Sequence, residues 1–448
     1  MGKKPMTEKP QADAVRVTAR QVLRSRKMWV PAGVILSVFA FLLSLAYMGA
    51  IVNPRAAMHE LPVGLVNSDA GVAQADGRLN IGQRIADGIT AASTDGKVAW
   101  KQLTEQQARD EMAEGKLYGA LVVPADFTSS VLALGDPARQ GGQHPAVTIL
   151  TNPAAGSLAS SLASSVAQQA AHTASAHLGD QLTTVAWQHQ TLTADQQYLL
   201  ADPISIRTDV GHALSENSGL GMTAFFYALL LVMCGFIGAN VLNGLVDSGL
   251  GFAPSDLGPW HRHGPKAPID RRHTLYSAWG LMAGLAVPMA TLIMIASITV
   301  LGMDAGHLPL LWVFSYFGIV AVGVSCLSIL ATFGTPGMFV STFVFIALAI
   351  PSSGGTIPLE TVPAFYRHLS VFEPMRQLTG GVRAILYFNA SGDAGLFRAW
   401  TMMGVGLILA LVLGYAATSF YERKGLHRHP ESAPTPASAQ RESVLLEG

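Results

Sequence analysis

Long apolar stretches dictate what this 448-residue chain can become, because they are placed unevenly along it. One runs from about Met28 to Val52 and stands alone. Five more crowd the second half, near Met222–Val246, Leu275–Leu301, Leu308–Phe333, Met338–Ile350 and Leu396–Tyr421. Most exceed the roughly 18 apolar residues that cross a bilayer as a helix. Half of all residues are apolar and only 13% are charged, well under the roughly 25% of a soluble domain. The expected fold is an α-helical polytopic membrane protein with six transmembrane helices and an extracytoplasmic α/β domain inserted between helices 1 and 2. The Met28–Val52 stretch is too long for a signal-peptide core and no small-residue cleavage site follows it, so it reads as a retained helix.

Basic residues set the expected orientation. Lys3, Lys4, Lys9, Arg16, Arg20, Arg24, Arg26 and Lys27 precede the first stretch against only Glu8 and Asp13, which places residues 1–27 in the cytoplasm. The loop after the second stretch carries Arg262, Lys266, Arg271 and Arg272 and belongs on the same side. Arg423, Lys424 and Arg428 follow the last stretch, ahead of a Pro/Ala/Ser tail within residues 422–448 that reads as disordered. Residues 53–220 belong outside; from Val52 to Leu220 there are nine basic and sixteen acidic residues. Six crossings with both termini in the cytoplasm meet all these signs. The fifth stretch is the weakest, opened by Thr335-Pro336-Gly337 and stopped by Pro351-Ser352-Ser353-Gly354-Gly355, so a short, tilted or re-entrant element is expected there.

Within residues 53–220, apolar runs at Leu61–Asp69, Val98–Leu103, Leu117–Val123 and Ala146–Leu150 read as buried strands. Helical patterns at Gly82–Ala91 and Glu105–Glu114 alternate with them, the order of a small α/β domain. Ser157 to about Gln190, rich in Ala, Ser and Gln and free of Pro, reads as one long helix whose small residues admit close packing.

Chemistry-bearing motifs are few. Cys234 and Cys326 both lie in apolar stretches, which excludes a disulfide framework. His144, His172, His177, His189 and His212 are scattered, and the spacing of His172 and His177 does not put them on one helical face, so no metal site is expected. No nucleophile elbow, H-E-x-x-H or phosphate loop occurs, so no catalytic residue, cofactor or bound ATP is expected of this chain. The span centres hold almost no charge, which argues against ion-driven transport. Nucleic-acid binding is not expected, because the basic clusters flank membrane spans. Asp13–Lys27 sets Val15, Val17, Ala19, Val22 and Leu23 among arginines, the pattern of a basic amphipathic helix at the membrane interface.

Two stretches carry a family resemblance. Leu61-Pro-Val-Gly-Leu-Val-Asn-Ser-Asp-Ala-Gly71 resembles the strand and turn that ABC-2-type permeases of the phage-infection-protein branch place after their first helix. Pro351-Ser-Ser-Gly-Gly-Thr-Ile-Pro358, continued by Leu359-Glu-Thr-Val-Pro363, Phe365, Leu369, Pro374 and Gly380-Gly-Val-Arg383, is similar to their Gly/Pro-rich hairpin before the last helix. The membrane domain of the yeast nitrosoguanidine-resistance protein is similar too. The resemblance implies a dimeric permease subunit in a bacterial cytoplasmic membrane, exporting a drug, lipid or envelope precursor with a separate ATP-hydrolysing partner. On that reading Arg16, Arg20, Arg24, Arg262, Lys266, Arg271 and Arg272 are candidate ATPase contacts. Pro351, Gly354, Gly355, Pro358, Glu373, Arg376 and Arg383, with Arg367, are candidate residues of an exit hairpin spanning 351–395. The rival is a non-transporting envelope scaffold or receptor that binds a partner through its outer domain, and a membrane enzyme stands third.

Overall fold

A computed structural model describes residues 26–51, 53–74, 77–93, 95–134, 144–187, 202–257, 260–262, 264–426 and 428. The Asp13–Lys27 segment up to Ser25, with Arg16, Arg20 and Arg24, lies outside the described residues, as do His189 and most of the C-terminal tail.

The chain divides into two compact units, Met1–Gly49 and Ala50–Gly448. The first contributes helix α1 (Arg26–Ile51), whose Gly33–Ile51 part is apolar throughout and exposes most of its large side chains. In water that surface would be untenable.

The second unit opens with a five-stranded sheet. Strand β1 (Leu61–Asn67) is followed by a small hairpin, β2 (Val72–Gln74) and β3 (Gly77–Leu79), then helix α2 (Ile81–Ala92) and strand β4 (Val98–Leu103). Next come α3 (Glu105–Ala113), β5 (Gly119–Val123), α4 (Phe127–Ala133), β6 (Ala146–Thr151), the long helix α5 (Ser157–Trp187) and β7 (Ser205–Val210). The order across the sheet is β4-β1-β5-β6-β7. β1 lies parallel to β4 and β5, β6 runs antiparallel to β5, and β7 is parallel to β6. The period-2 rule decides the two faces. Leu65, Leu121, Val123, Val147 and Ile149 point to the face covered by α2, α4 and α5, whereas Val66, Ala120, Val122 and Leu150 face Ala108 and Met112 of α3.

The resemblance motif after β1 has a physical job. Asp69 accepts hydrogen bonds from the backbone N–H groups of Gly71, Gly82 and Thr128 and from the Thr128 hydroxyl, which ties the end of β1 to the starts of α2 and α4. Burial opposes its ionisation, but these bonds outweigh burial and its pKa falls below the ordinary value. Gly82 fits because a Cβ there would lie 2.7 Å from the Asp69 Cβ.

Four further long apolar helices follow: α6 (Thr223–Gly249), α7 (Arg271–Met294, prolonged by a wider turn to Val300), α8 (Leu308–Phe333) and, at the end, α12. A two-stranded hairpin, β8 (Ser255–Leu257) and β9 (Trp260–Arg262), separates α6 from α7. Helix α9 (Thr335–Thr342) continues through a wide turn at Phe343–Ala347 into a short turn at Ala349–Ser352. Then come α10 (Ala364–Leu369), α11 (Pro374–Tyr387) and α12 (Phe397–Arg423). Helix α8 is the most enclosed and packs against α6, α7 and α12. Small residues permit the close approach: a Cβ on Gly235 would come within 2.9 Å of the Ile319 carbonyl, and Gly323 lies under the Met282 side chain. The polar groups within these helices divide. Ser315 meets the Tyr227 hydroxyl at 2.8 Å and Asn240 reaches Cys326, while Ser325 and Ser328 bond back within their own helix.

Among the described residues, five helices are long and apolar enough to cross a membrane, which makes this a multi-pass membrane protein. The Met338–Ile350 stretch, expected as a short, tilted or re-entrant element, is a shorter apolar helix over Thr335–Ala347. The strands and helices expected of residues 53–220 form at nearly the expected positions. β2, β3, α4 and β7 were not expected, and neither was the β8–β9 hairpin.

Candidate functional site

The broken segment between α9 and α12 folds against the sheet domain and encloses a polar cavity of about 230 Å³. Proline and glycine dictate the breakage. Pro351 and Pro358 remove backbone donors, and Gly354 turns with φ +66, a conformation that favours glycine. Gly355 lies against the Phe225 ring, where a Cβ would sit 2.2 Å from Cδ2, and Gly381 meets Phe314 at the same 2.2 Å. Helix α11 is thereby clamped among α6, α8 and α12 with Met375, Leu378, Val382 and Ile385 buried.

Three guanidiniums converge on the cavity: Arg376 and Arg383 from α11 and Arg398 from α12. None forms an ion pair with a carboxylate among the described residues. Arg376 donates to the Ser370 hydroxyl, and Arg383 donates weakly to the Gly355 carbonyl at 3.3 Å. The Arg383 Nε is buried with no acceptor. Burial, and then the neighbouring Arg398 charge, lowers the Arg376 pKa to about 10; burial also lowers that of Arg383. Arg376 remains a cation at neutral pH. Gly380 and Gly395 make room for Arg398, whose Nη2 would lie 3.2 and 3.5 Å from a Cβ at either position.

The opposite wall comes from the sheet domain. Tyr118 donates to Glu360 at 2.9 Å, and burial followed by that carboxylate pushes the phenol well above its ordinary pKa. Lys116 pairs with Glu114 at the rim. Gly115 turns with φ +68 and touches the Phe388 ring, which also lies beside His212, and His212 bonds the Tyr387 carbonyl at 3.0 Å. Tyr387 in turn bonds Thr223 and the Ala224 N–H. These contacts join the sheet domain to the hairpin around one hollow lined by Arg376, Arg383, Arg398 and Lys116 and by the carboxylates of Glu114, Glu360 and Asp393, an arrangement that can hold an anionic group against the guanidiniums.

Of the residues singled out by sequence, Gly354, Arg376 and Arg383 line this cavity. Glu373 does not. It caps α11 by accepting from the Arg376 N–H, lies 4% exposed, and burial raises its pKa to about 8. Pro351, Gly355, Pro358 and Arg367 shape or flank the hairpin without lining the hollow. Sequence reasoning held Glu360 only within the Leu359–Pro363 motif and missed Arg398, just past the hairpin, and Tyr118, which belongs to a segment distant along the chain; the Gly380-Gly381 pair beside Arg383 was the available signal for Arg398.

Among the proposed ATPase contacts, Arg271 and Arg272 are spent within the chain. Arg271 donates to the Leu426 carbonyl at 2.8 Å and sits over the Tyr421 ring, while Arg272 pairs with Glu422. Lys266 is exposed, with no ion pair among the described residues; the Arg262 side chain lies outside them.

The family model described as "Protein of unknown function (DUF3533)" matches residues 32–406. The chain is also similar to "Uncharacterized protein YhgE" of Bacillus subtilis (strain 168), 27% identical over 224 residues. That match takes in 49% of this chain and 25% of the relative, so the chain spans a quarter of the length of the curated relative it matches. No solved structure matches.

Proposed function

The chain belongs to the DUF3533 family, and on that premise we propose that it is the membrane permease subunit of an exporter for an anionic amphipathic compound. The observation that carries the reading is the set of three guanidiniums, none in an ion pair with a carboxylate among the described residues, around a small hollow where a broken hairpin meets the sheet domain. Structural arginines in membrane proteins are normally paired or face a water-filled path, and irregular backbone at membrane depth is tolerated where it lines a cavity. Both conditions suit a cargo route. The basic residues flanking the spans support a cytoplasmic N-terminus and C-terminus, with the sheet domain outside and residues 335–352 as a broken sixth crossing. The phosphate loop is absent from the sequence, so a separate ATP-hydrolysing subunit would supply the energy. It would meet Lys266 and the basic residues 16–27, and the permease would act as a dimer in a bacterial cytoplasmic membrane.

The test compares cells lacking this chain with cells complemented by wild type or by the double variant Arg376→Gln/Arg383→Gln, challenged with deoxycholate and with decanoate. Wild type should restore tolerance and retention-free growth; the double variant, present at equal level in the membrane, should not. Equal tolerance in both would remove the hollow from the route. Purification of the full chain from native membranes into nanodiscs, with mass spectrometry of stoichiometric companions, separates the rival. An ATP-hydrolysing companion supports the permease, and envelope proteins alone favour a scaffold.

A further inference from the structure

The sheet domain carries a second, larger hollow of about 950 Å³ between α2 and α5, floored by the edge strand β4. We propose that it binds the hydrocarbon tail of an anionic amphipath, with Arg55 and Arg84 holding the head group. This deepens the exporter reading by naming the cargo class, and rests on it only for the link to transport.

Helical spacing builds the walls. Leu162, Val166, Ala170, Ala174, Leu178 and Leu182 recur every four residues along α5 and form one stripe facing the cleft. Ile81, Ile85 and Ile89 form the matching stripe of α2, and Val98 and Trp100 of β4 close the floor. The small residues in the middle of both helices, Gly88 on one side and Ala170 and Ala174 on the other, leave the space between the stripes unfilled, where larger side chains would occupy it. A volume of this size lies at the upper end of sites that enclose a drug-sized ligand, roughly 300–1,000 Å³. Polar residues of the lining along α5, Ser165, Gln169, Thr173, His177 and Gln181, are exposed, and such sites use a few polar groups to orient a ligand.

The rim is cationic. Arg55 and Arg84 are exposed and make no ion pair or side-chain hydrogen bond among the described residues, while the nearby Lys97 is already paired with Asp95 at 3.0 Å. Two free guanidiniums beside an apolar trough favour a carboxylate or phosphate head on a hydrocarbon chain. Arg55 also follows the end of the apolar helix, Ile51, by only four residues. In an extended chain that is at most about 14 Å, so little chain separates Arg55 from the end of the apolar helix.

The full chain in phosphatidylcholine nanodiscs would be exposed to a diazirine-bearing palmitate and, separately, to the alcohol of the same chain length; crosslinks are then mapped by mass spectrometry. The acid should label residues of Ile81–Ala92 and Leu162–Leu182, and the alcohol should label them several-fold less. Ala170→Trp/Ala174→Trp, which fills the trough, should cut this labelling at least tenfold. Arg55→Glu/Arg84→Glu alters only exposed side chains, and should bring the acid down to the level of the alcohol. Competition by phosphatidylglycerol vesicles would identify a phospholipid as an occupant; its failure would identify a free single-chain acid, and either leaves the site standing. Label absent from both helices, or unchanged in both double variants, overturns the proposal. Label that behaves as expected while export never depends on the chain would instead remove the exporter reading and leave the site.

Discussion

The cleft between α2 and α5 and the hollow beside α11 belong to one compact unit and are made by opposite means. The cleft is lined by regular helices whose apolar residues recur every four positions, with charge only at its lip. The hollow is lined by interrupted backbone, four positive-φ or close-packed glycines and three guanidiniums, those of Arg376 and Arg383 half-buried and that of Arg398 exposed. Regular structure makes a place for hydrocarbon because its backbone is already hydrogen-bonded and only side chains face inward. Broken structure makes a place for charge because it leaves carbonyls, hydroxyls and guanidiniums pointing into a space that protein encloses.

The largest expected departure between the two regions concerns pH. Glu373 of the hairpin has its folded pKa raised by burial to about 8, above the ordinary 4.5, so the native state binds more protons than the unfolded one between those values and stability falls as pH rises. The loss approaches roughly 5 kcal/mol across that window at about 1.4 kcal/mol per unit. Asp69 of the sheet domain has a lowered pKa and behaves oppositely, losing stability as pH falls through its folded value. Thermal unfolding of the purified chain from pH 5 to 9 should show a declining midpoint that Glu373→Gln flattens. Equal slopes for wild type and variant would sink this.

Packing gives the next contrast. Gly381→Val drives a Cβ to within 2.2 Å of Phe314 in the hairpin and should cost about 3 kcal/mol by overpacking. Gly88→Ala, where a Cβ meets open space on the cleft wall, should instead stabilise α2 by about 0.5–1 kcal/mol. Denaturation midpoints of the two variants moving in the same direction would break the comparison.

Within the sheet domain, Asp69→Ala should cost about 2 kcal/mol by leaving the N–H groups of Gly82 and Thr128 without their acceptor. Hydrogen exchange should speed first at the starts of α2 and α4; protection unchanged there would show that the turn does not anchor them. The smallest effect belongs to the contact that joins the two regions. Tyr118→Phe removes the bond to Glu360 and should cost about 1 kcal/mol, with faster proteolysis at residues 353–360. No change in cleavage would mean that the packing of Phe388 on Gly115 suffices to hold the wall.

Much of this was legible in the residues. The long apolar runs locate five helices to within a few positions, since a helix that spans lipid must satisfy its own backbone and so announces itself by length and composition. The strands β1, β4, β5 and β6 are apolar runs bounded by turn formers, and Thr104 with Gln107 forms the capping box that starts α3. The strand β7, with its outward half exposed, gave no such signal: Ile206 is its one partly buried hydrophobe packed on the core. The Met338–Ile350 stretch, read as short, tilted or re-entrant, is short because Gly334 turns with φ +66 before it, Pro351 and Gly354 end it, and the backbone widens at Phe343–Ala347 between them. Period and composition do not register such a wide turn.

The sequence by itself determined that this chain needs a bilayer, that an α/β domain interrupts its apolar helices after the first, and that a Gly/Pro-rich stretch must break before the last. Each of these follows from local chemistry: hydropathy, alternation and forbidden dihedrals act within a few residues of where they are written. Only the tertiary structure decided that Tyr118 and Glu360, 242 positions apart, face Arg376, Arg383 and Arg398 across one hollow. It also decided that the stripes of α2 and α5 stand apart with a trough between them. Those outcomes depend on which surfaces pack together, and packing is settled by the summed fit of many distant side chains.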